Sequence, residues 1–487
     1  MRVIQVKYVK GKMRVLIKTF GCKTNYADTL EIARSLHSFG VEITLDEELD
    51  KGNSDWRHFD AIIINSCVVT NEAEGKSRRY ARRALRRFKN AQVILTGCGG
   101  RSKALAHKFA ELGVKVVGEL DEVVADIREF INECQSSTTA DLAFPEGSRG
   151  RLDRSPAPAL YTPGRARYFL KVQDGCNSVC SFCIVPQVRT ISMKSLESIM
   201  AEVEFAEEVG YSEIVITGIN VGLYREPAHG YGLDALIEKI LGKLGDGSRL
   251  RLSSIEPEHV TEKLLASFAN RKMCPHLHLP LQSGSDKVLK DMRRRYTSTD
   301  YLRIVDAFRK NYPHGAVTSD IMVGYPTESW DDFKKTLKVV QLCAFERVHI
   351  FPYSERPGTL SSLLRPHTGD EVRAREEELF EVAGEVARKS LGRFIGKRVE
   401  VAVEGVLRTD GNDEFIAFAE SSTEAGLKNA KGKALVRANN NGQPIFSGYG
   451  EAYQRVNFAC EADQVPRLAT VQLEKLTGQE FFGRMIP

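Results

Sequence analysis

Short β-branched apolar runs, each followed by a stretch with helical spacing, recur from residue 14 to residue 392. A strand that is apolar on both faces and is followed by a helix belongs in a parallel sheet, so this alternation confines most of the chain to α/β architecture. In residues 14–134, RVLIKTF (14–20), AIIIN (61–65) and QVILT (92–96) read as buried strands, and residues 27–39 carry the first helical pattern. An open, doubly wound α/β domain is expected there. Residues 135–165 are rich in Ser, Pro, Gly and Arg and are expected to form a linker that orders on contact with a partner. The alternation resumes over residues 166–392, with candidate strands at 167–172, 213–217, 249–254, 276–281, 316–323 and 347–353. Six parallel strands are too few for a complete eight-stranded barrel and suit an open partial (β/α)6 barrel. Residues 397–406, 414–421, 433–439 and 444–450 read as short strands between Gly, Asn and Asp turns. They predict a small all-β domain over 393–453, followed by a featureless tail, 454–487.

Residues 1–18 hold no long apolar run, because Arg2, Lys7, Lys10, Lys12 and Arg14 interrupt them. No other segment reaches the roughly 18 uninterrupted apolar residues of a spanning helix. Neither a signal peptide nor a membrane span is expected, and the cytoplasm is the default compartment. Ten cysteines in 487 residues are not a disulfide scaffold. In a reducing compartment, clustered cysteines are more often metal ligands or catalytic groups.

Three cysteines cluster in Gly175-Cys176-Asn177-Ser178-Val179-Cys180-Ser181-Phe182-Cys183, a CxxxCxxC spacing directly after a predicted strand. Three thiolates can hold three irons of a 4Fe–4S cube and leave the fourth open to a ligand, whereas an electron-transfer cluster has four cysteines. A structural zinc site pairs CxxC with a second distant pair, and no fourth ligand lies near this one. The loop position also fits, since loops after barrel strands form the active face. Cys22, Cys67 and Cys98 each follow the carboxyl end of a predicted strand in the first domain. In a doubly wound sheet those ends share the ligand-binding edge, so three thiols scattered in sequence can converge. Three inert, buried cysteines are the alternative. Cys134, Cys274, Cys343 and Cys460 read as structural.

GCNSVCSFCIVP resembles the signature of the radical S-adenosylmethionine (SAM) superfamily. The resemblance implies that Cys176, Cys180 and Cys183 hold a cluster whose open iron binds SAM and cleaves it to a 5′-deoxyadenosyl radical. Phe182 would lie near the adenine. Thr217, Gly218, Ile219 and Asn220 end the second strand, where the family contacts the methionine amino group through backbone. Ser253, Ser254 and Glu256 end the third and would meet the sugar. His278, Gln282 and Ser283 end the fourth, and Asp320 and Gly324 flank the fifth. A polar residue at a strand end also serves as a turn or cap residue, so the argument lies in their common face.

TFGCKTNYADT, NSCVVTNEAEGKSRR and LTGC resemble the amino-terminal domain of the methylthiotransferases, radical SAM enzymes with a second 4Fe–4S cluster, here implied on Cys22, Cys67 and Cys98. The resemblance spans residues 14–392. It departs after Cys98, where Gly99 and Gly100 replace an aromatic and a small residue. The small β domain resembles the family's RNA-binding TRAM module. The implied chemistry uses SAM twice, once to methylate sulfur at the second cluster and once as the radical source that activates a substrate carbon.

Members of this family modify either adenosine beside a tRNA anticodon or an aspartate of a ribosomal protein. A predicted helix over 72–89 carries an apolar stripe of Ala81, Ala84, Leu85 and Phe88, opposite Arg79, Arg82, Arg83, Arg86 and Arg87. That face suits a phosphate backbone, as do Arg293, Arg294, Arg295 and the arginines at 149, 151, 154, 165 and 167. A solvated helix face is the plainer reading of the helix alone. The net charge of +5 permits a polyanion without arguing for one. TFGCKTN and NSCVVTNEAEGKSR are most similar to the branch acting on N6-threonylcarbamoyladenosine. The expected partners are a tRNA anticodon stem-loop and an electron donor such as flavodoxin or ferredoxin, with no membrane. A base must be extruded to reach a barrel mouth, and an open partial barrel allows that. The competing readings are an enzyme for isopentenyladenosine or a ribosomal aspartate, and a noncatalytic RNA-binding protein with fully ligated clusters.

Overall fold

A computed structural model describes residues 13–45, 59–136, 166–406, 443–461 and 465–486. The chain forms two compact units. One comprises residues 1–160, 174–178 and 183–192; the other comprises 161–173, 179–182 and 193–487.

In the first unit, five parallel strands lie in the order Glu42–Leu45, Arg14–Thr19, Ala61–Ser66, Gln92–Gly97, Lys115–Val116. Successive side chains point to opposite faces. Val15, Ile17, Ala61, Ile63 and Ile94 pack with the helices Lys23–Ser38 and Leu120–Ser136. Leu16, Ile62, Ile64, Val93 and Leu95 pack on the other face with Asn71–Arg87 and Lys103–Ala110. Burial on both faces explains the unbroken apolar runs. The second strand in the chain lies outside the first and the third returns on its other side, so the strand order reverses between Arg14–Thr19 and Ala61–Ser66. That reversal places a ligand crevice at their carboxyl ends.

In the second unit, all six expected barrel strands are present. Arg167–Asp174, Glu213–Gly218 and Arg249–Leu252 form one sheet with the short strand Ser192–Met193; His276–His278, Ala316–Val323 and Arg347–Pro352 form another. The six pair in parallel within their sheets, and parallel bridges Leu250–Met273 and Ser254–His278 link the two sheets into a partial barrel. The fourth strand is shorter than the six residues expected. Pro280 has no N–H to add to a ladder, and Gln282 turns the backbone left-handed at φ 62°. Surrounding helices begin at capping boxes, Thr297 with Asp300, Ser329 with Asp332 and Thr368 with Glu371.

The carboxy-terminal domain is a closed five-stranded barrel in the order Arg398–Val406, Ile445–Gly450, Arg455–Ala459, Glu480–Met485, Leu468–Thr477. Three of these strands fall in the segment expected to be a featureless tail, so the domain extends past 453 to Met485. Val456, Phe458, Ala469, Val471, Leu473 and Phe481 fill its core. Their alternation is broken by a bulge between Leu473 and Lys475, which obscures the pattern in the sequence. The strands expected at 414–421 and 433–439, and residues 137–165 of the expected linker, lie outside the described residues. No helix among the described residues is long and apolar enough to cross a membrane.

Candidate active site

The amino-terminal cysteines meet at the crevice of the first sheet. Cys22 caps the amino end of Lys23–Ser38, Cys67 follows Ala61–Ser66, and Cys98 opens the short helix Cys98–Arg101. The Asn25 side-chain oxygen lies 3.4 Å from the Cys22 sulfur and 3.9 Å from that of Cys98. Gly21, at φ 124°, brings the preceding turn against Cys67; a Cβ there would stand 2.7 Å from the Cys67 Cβ. Burial pushes the Cys67 thiol up to about 12, and Cys22 and Cys98 push the same way against the Val69 N–H and Arg189. Burial also raises Cys98, opposed by Arg189. Thiols so placed carry negative charge poorly alone and suit cationic iron. No group of three or more His, Cys, Asp or Glu among the described residues is arranged around a single metal ion. A cube distributes its cysteines over separate irons, so the three thiols fit a cluster in kind.

A buried polar network supports these cysteines. The Asn25 amide donates to the Asn65 side chain at 3.2 Å and the Ser66 carbonyl at 3.1 Å, and the Asn65 amide donates to the Asn25 carbonyl at 2.7 Å and Thr29 Oγ1 at 3.0 Å. Arg189, fully buried, donates from Nε to the Cys98 sulfur at 3.0 Å and from Nη2 to Asp28 at 2.7 Å. It also donates to both Asp174 oxygens at 2.8 Å. Burial alone would lower the Arg189 pKa, but Asp28, Cys98 and Asp174 hold it well above its ordinary value. At the departure after Cys98, a Cβ at Gly99 would stand 2.7 Å from the Ser66 Cβ, so in this chain the helix turn packs closely on Ser66.

The central cysteines occupy the loop between Arg167–Asp174 and the short helix Val185–Val188, all three half-buried. In the first unit, the Cys176 sulfur accepts from Ser178 N at 3.3 Å, and Cys176, Asn177, Gln187, Arg189 and Arg101 line a cavity of about 590 Å³. In the second unit, Arg294 donates to the Cys180 sulfur at 3.4 Å and pairs with Glu256. Burial raises the Glu256 carboxyl, against the pull of Arg294. Phe182 packs against Val288, Met292, Met322 and Tyr325.

At the carboxyl ends of the barrel strands, Thr217 is buried and Gly218 follows it. Gln173 Oε1 accepts from Asn220 N at 2.8 Å, which orients that turn. Ser254 bridges to His278. Ser253 Oγ and Gln282 Oε1 are buried with no hydrogen-bond partner among the described residues, and a bound polar ligand would relieve both. Other candidates are engaged within the protein. Ser283 bonds to Ser285 N, His278 reaches Thr318 at 2.7 Å and Asp320 at 3.1 Å, and Gly324 N donates to Glu328.

Sequence reasoning missed Asn25, Asp28, Asn65 and Arg189, although each lies in or beside a segment that carries one of the six candidate cysteines. It also overcounted phosphate-binding arginines. The Arg294 side chain is committed to Glu256 and Cys180, and that of Arg167 to Glu404. Arg293 and Arg295 are exposed, and Arg149, Arg151, Arg154 and Arg165 lie outside the described residues. Cys274, Cys343 and Cys460 are buried, as expected; the Cys134 side chain is outside the described ones.

Comparison with known proteins adds the following. The pattern of the Radical SAM superfamily matches residues 170–340, and that of uncharacterized protein family UPF0004 matches residues 14–118. The chain is 36% identical over 414 residues to the threonylcarbamoyladenosine tRNA methylthiotransferase MtaB of Thermotoga maritima, covering 82% of this chain and 89% of that protein. It is 29% identical to MtaB of Bacillus subtilis, covering 95% and 94%. A tRNA-2-methylthio-N(6)-dimethylallyladenosine synthase of Thermoanaerobacter sp. is 30% identical, covering 83% and 85%. Among solved structures, the radical SAM methyltransferase TsrM from Kitasatospora setae superposes with a TM-score of 0.51 at 14% identity, covering 88% of this chain and 87% of that one, a likeness of fold.

Proposed function

This chain belongs to the radical SAM methylthiotransferase family, and on that footing we propose that it adds a methylthio group to carbon 2 of N6-threonylcarbamoyladenosine beside the tRNA anticodon. The observation that carries the reading is the gathering of Cys22 and Cys98 about Asn25, with Cys67 against Gly21, in addition to the central cysteine loop. Cys176, Cys180 and Cys183 would hold one 4Fe–4S cluster, and Cys22, Cys67 and Cys98 a second. With SAM, these groups supply reductive cleavage of the sulfonium and the sulfur that is transferred.

The chain's own residues bind and orient. Thr217, Gly218, Ser254, Glu256 and Gln282 would hold SAM, with Phe182 beside the adenine. The unpartnered Ser253 and Gln282 oxygens support a polar ligand at that face. Arg294 neutralises Glu256 and donates to Cys180. The tRNA anticodon stem-loop is the proposed substrate, an electron donor such as flavodoxin or ferredoxin the proposed reductant, and the cytoplasm the proposed compartment. The resemblance to MtaB relatives favours threonylcarbamoyladenosine; the resemblance to dimethylallyladenosine synthases carries the second reading.

Mass spectrometry of tRNA nucleosides from cells lacking the protein tests both. Loss of the methylthio form of threonylcarbamoyladenosine alone supports the first. Loss of the methylthio isopentenyl form instead selects the second. An unchanged nucleoside profile with an altered ribosomal protein overturns both.

A further inference from the structure

We propose that Arg189 is a positioning residue for the amino-terminal cysteine site: its guanidinium fixes the Cys98 sulfur and raises the reduction potential of the cluster held there. This rests on the two-cluster reading above.

Arg189 lies beyond the central cysteine loop, yet its Nε reaches a sulfur of the other cysteine set, at 3.0 Å. Its remaining donors are taken up by Asp28, Asn25 and both oxygens of Asp174. The side chains of Arg189 and Asp28 are both fully buried. A guanidinium held in this fork cannot turn away, so its charge and its N–H stay aimed at Cys98. Asp174 immediately precedes Gly175 and Cys176, so one side chain ties the start of the central loop to a ligand of the other set. Arg189 is also among the residues lining the cavity that Cys176 and Asn177 line.

The electrostatic consequence has a definite sign. Reduction adds a negative charge to a cluster, and a fixed cation or a hydrogen bond to a ligand sulfur stabilises the reduced form more than the oxidised one. Removing Arg189 therefore moves the midpoint to more negative potential. A purely structural role for Arg189 makes no such demand.

The test uses the full chain carrying C176A, C180A and C183A, so that one cysteine set remains, reconstituted anaerobically with iron and sulfide. Iron per chain is measured, and the cluster is titrated potentiometrically with electron paramagnetic resonance detection. Arg189→Gln is expected to shift the midpoint to more negative potential, and Arg189→Lys, which keeps the charge, to return it toward the parent. A Gln variant that holds the parent's iron and titrates at the parent's potential overturns the proposal. Because Gln leaves Asp28 and Asp174 facing no cation, D28N/R189Q is compared with D28N in parallel; equal midpoints there overturn the proposal too. A parent that binds no cluster overturns the two-cluster reading itself.

Discussion

Gln282 carries two local penalties. Its left-handed backbone costs an L residue about 1 kcal/mol, and its buried, unpartnered amide oxygen costs about 1–3 kcal/mol more. Backbone bonds hold it in place, from Gln282 N to the Asp320 carbonyl and from Met322 N to the Gln282 carbonyl, each at 2.9 Å. Strain of this kind clusters at functional sites, which makes Gln282 a candidate to test as a SAM contact. Gln282→Gly keeps the backbone, removes the strain and removes the amide. We expect the melting temperature to hold or rise, and the Kd for SAM, measured anaerobically by calorimetry, to rise about tenfold, equivalent to about 1.4 kcal/mol. An unchanged Kd would remove Gln282 from the SAM site. Gln282 could be named from the sequence because it sits in a recognisable strand-end pattern. Asn25, Asn65 and Arg189 could not, because each acts through partners distant in the chain that only the folded crevice brings within reach.

Helix Asn71–Arg87 shows how far periodicity reaches at the scale of an element. Thr70 caps it by accepting from Ala73 N at 3.2 Å, and the stripe read from the sequence is where Ala81, Ala84 and Phe88 are buried. Tyr80 and Ser77 are buried too; Tyr80 joins the apolar cluster of that sheet face, and Ser77 escapes hydrophobic counting because it turns inward for Ser66, at 2.8 Å. Arg79, Arg82, Arg86 and Arg87 remain exposed as expected, whereas Arg83 is half-buried. On the tRNA reading, the double variant R82A/R86A should weaken tRNA binding. It should also make the slope of log K against log salt shallower by about two, one for each lost phosphate contact. Filter binding or anisotropy across a salt series measures both; an unchanged slope assigns this face to solvent. Where a charge lies on an exposed helix the sequence shows it, but strands whose polar face is covered by another domain mislead. RLRLSS alternates like a half-solvated strand, yet Arg249 and Arg251 are both buried.

That burial joins the closed barrel to the base of the partial barrel. At the amino end of its strand, Glu213 pairs with Arg249 and with Arg251, each at 2.7 Å. Arg249 donates onward to the Glu400 and Tyr449 carbonyls, and Arg251 to those of Gly450 and Glu451. His276 and Tyr453 stack beside them at 4.5 Å. The closed barrel is thus fastened through backbone carbonyls by two cations that share one carboxylate. Burial alone would raise the Glu213 carboxyl, but Arg251 and then Arg249 hold it well below the usual carboxylate range. A depressed carboxyl contributes stability at pH above its unfolded value, about 4.5, and loses that contribution as pH falls through that value toward the folded one. Glu213→Gln removes the carboxylate that both buried guanidiniums pair with and is expected to cost about 3–5 kcal/mol at pH 7, read from the denaturant midpoint. The gap between native chain and variant should narrow as the pH is lowered from 5 to 3, because over that range Glu213 of the unfolded native chain takes up a proton while the folded carboxylate stays ionised, a linkage that the Gln variant lacks. A gap that stays constant over that range would mean that the carboxylate's charge does not hold the two domains together.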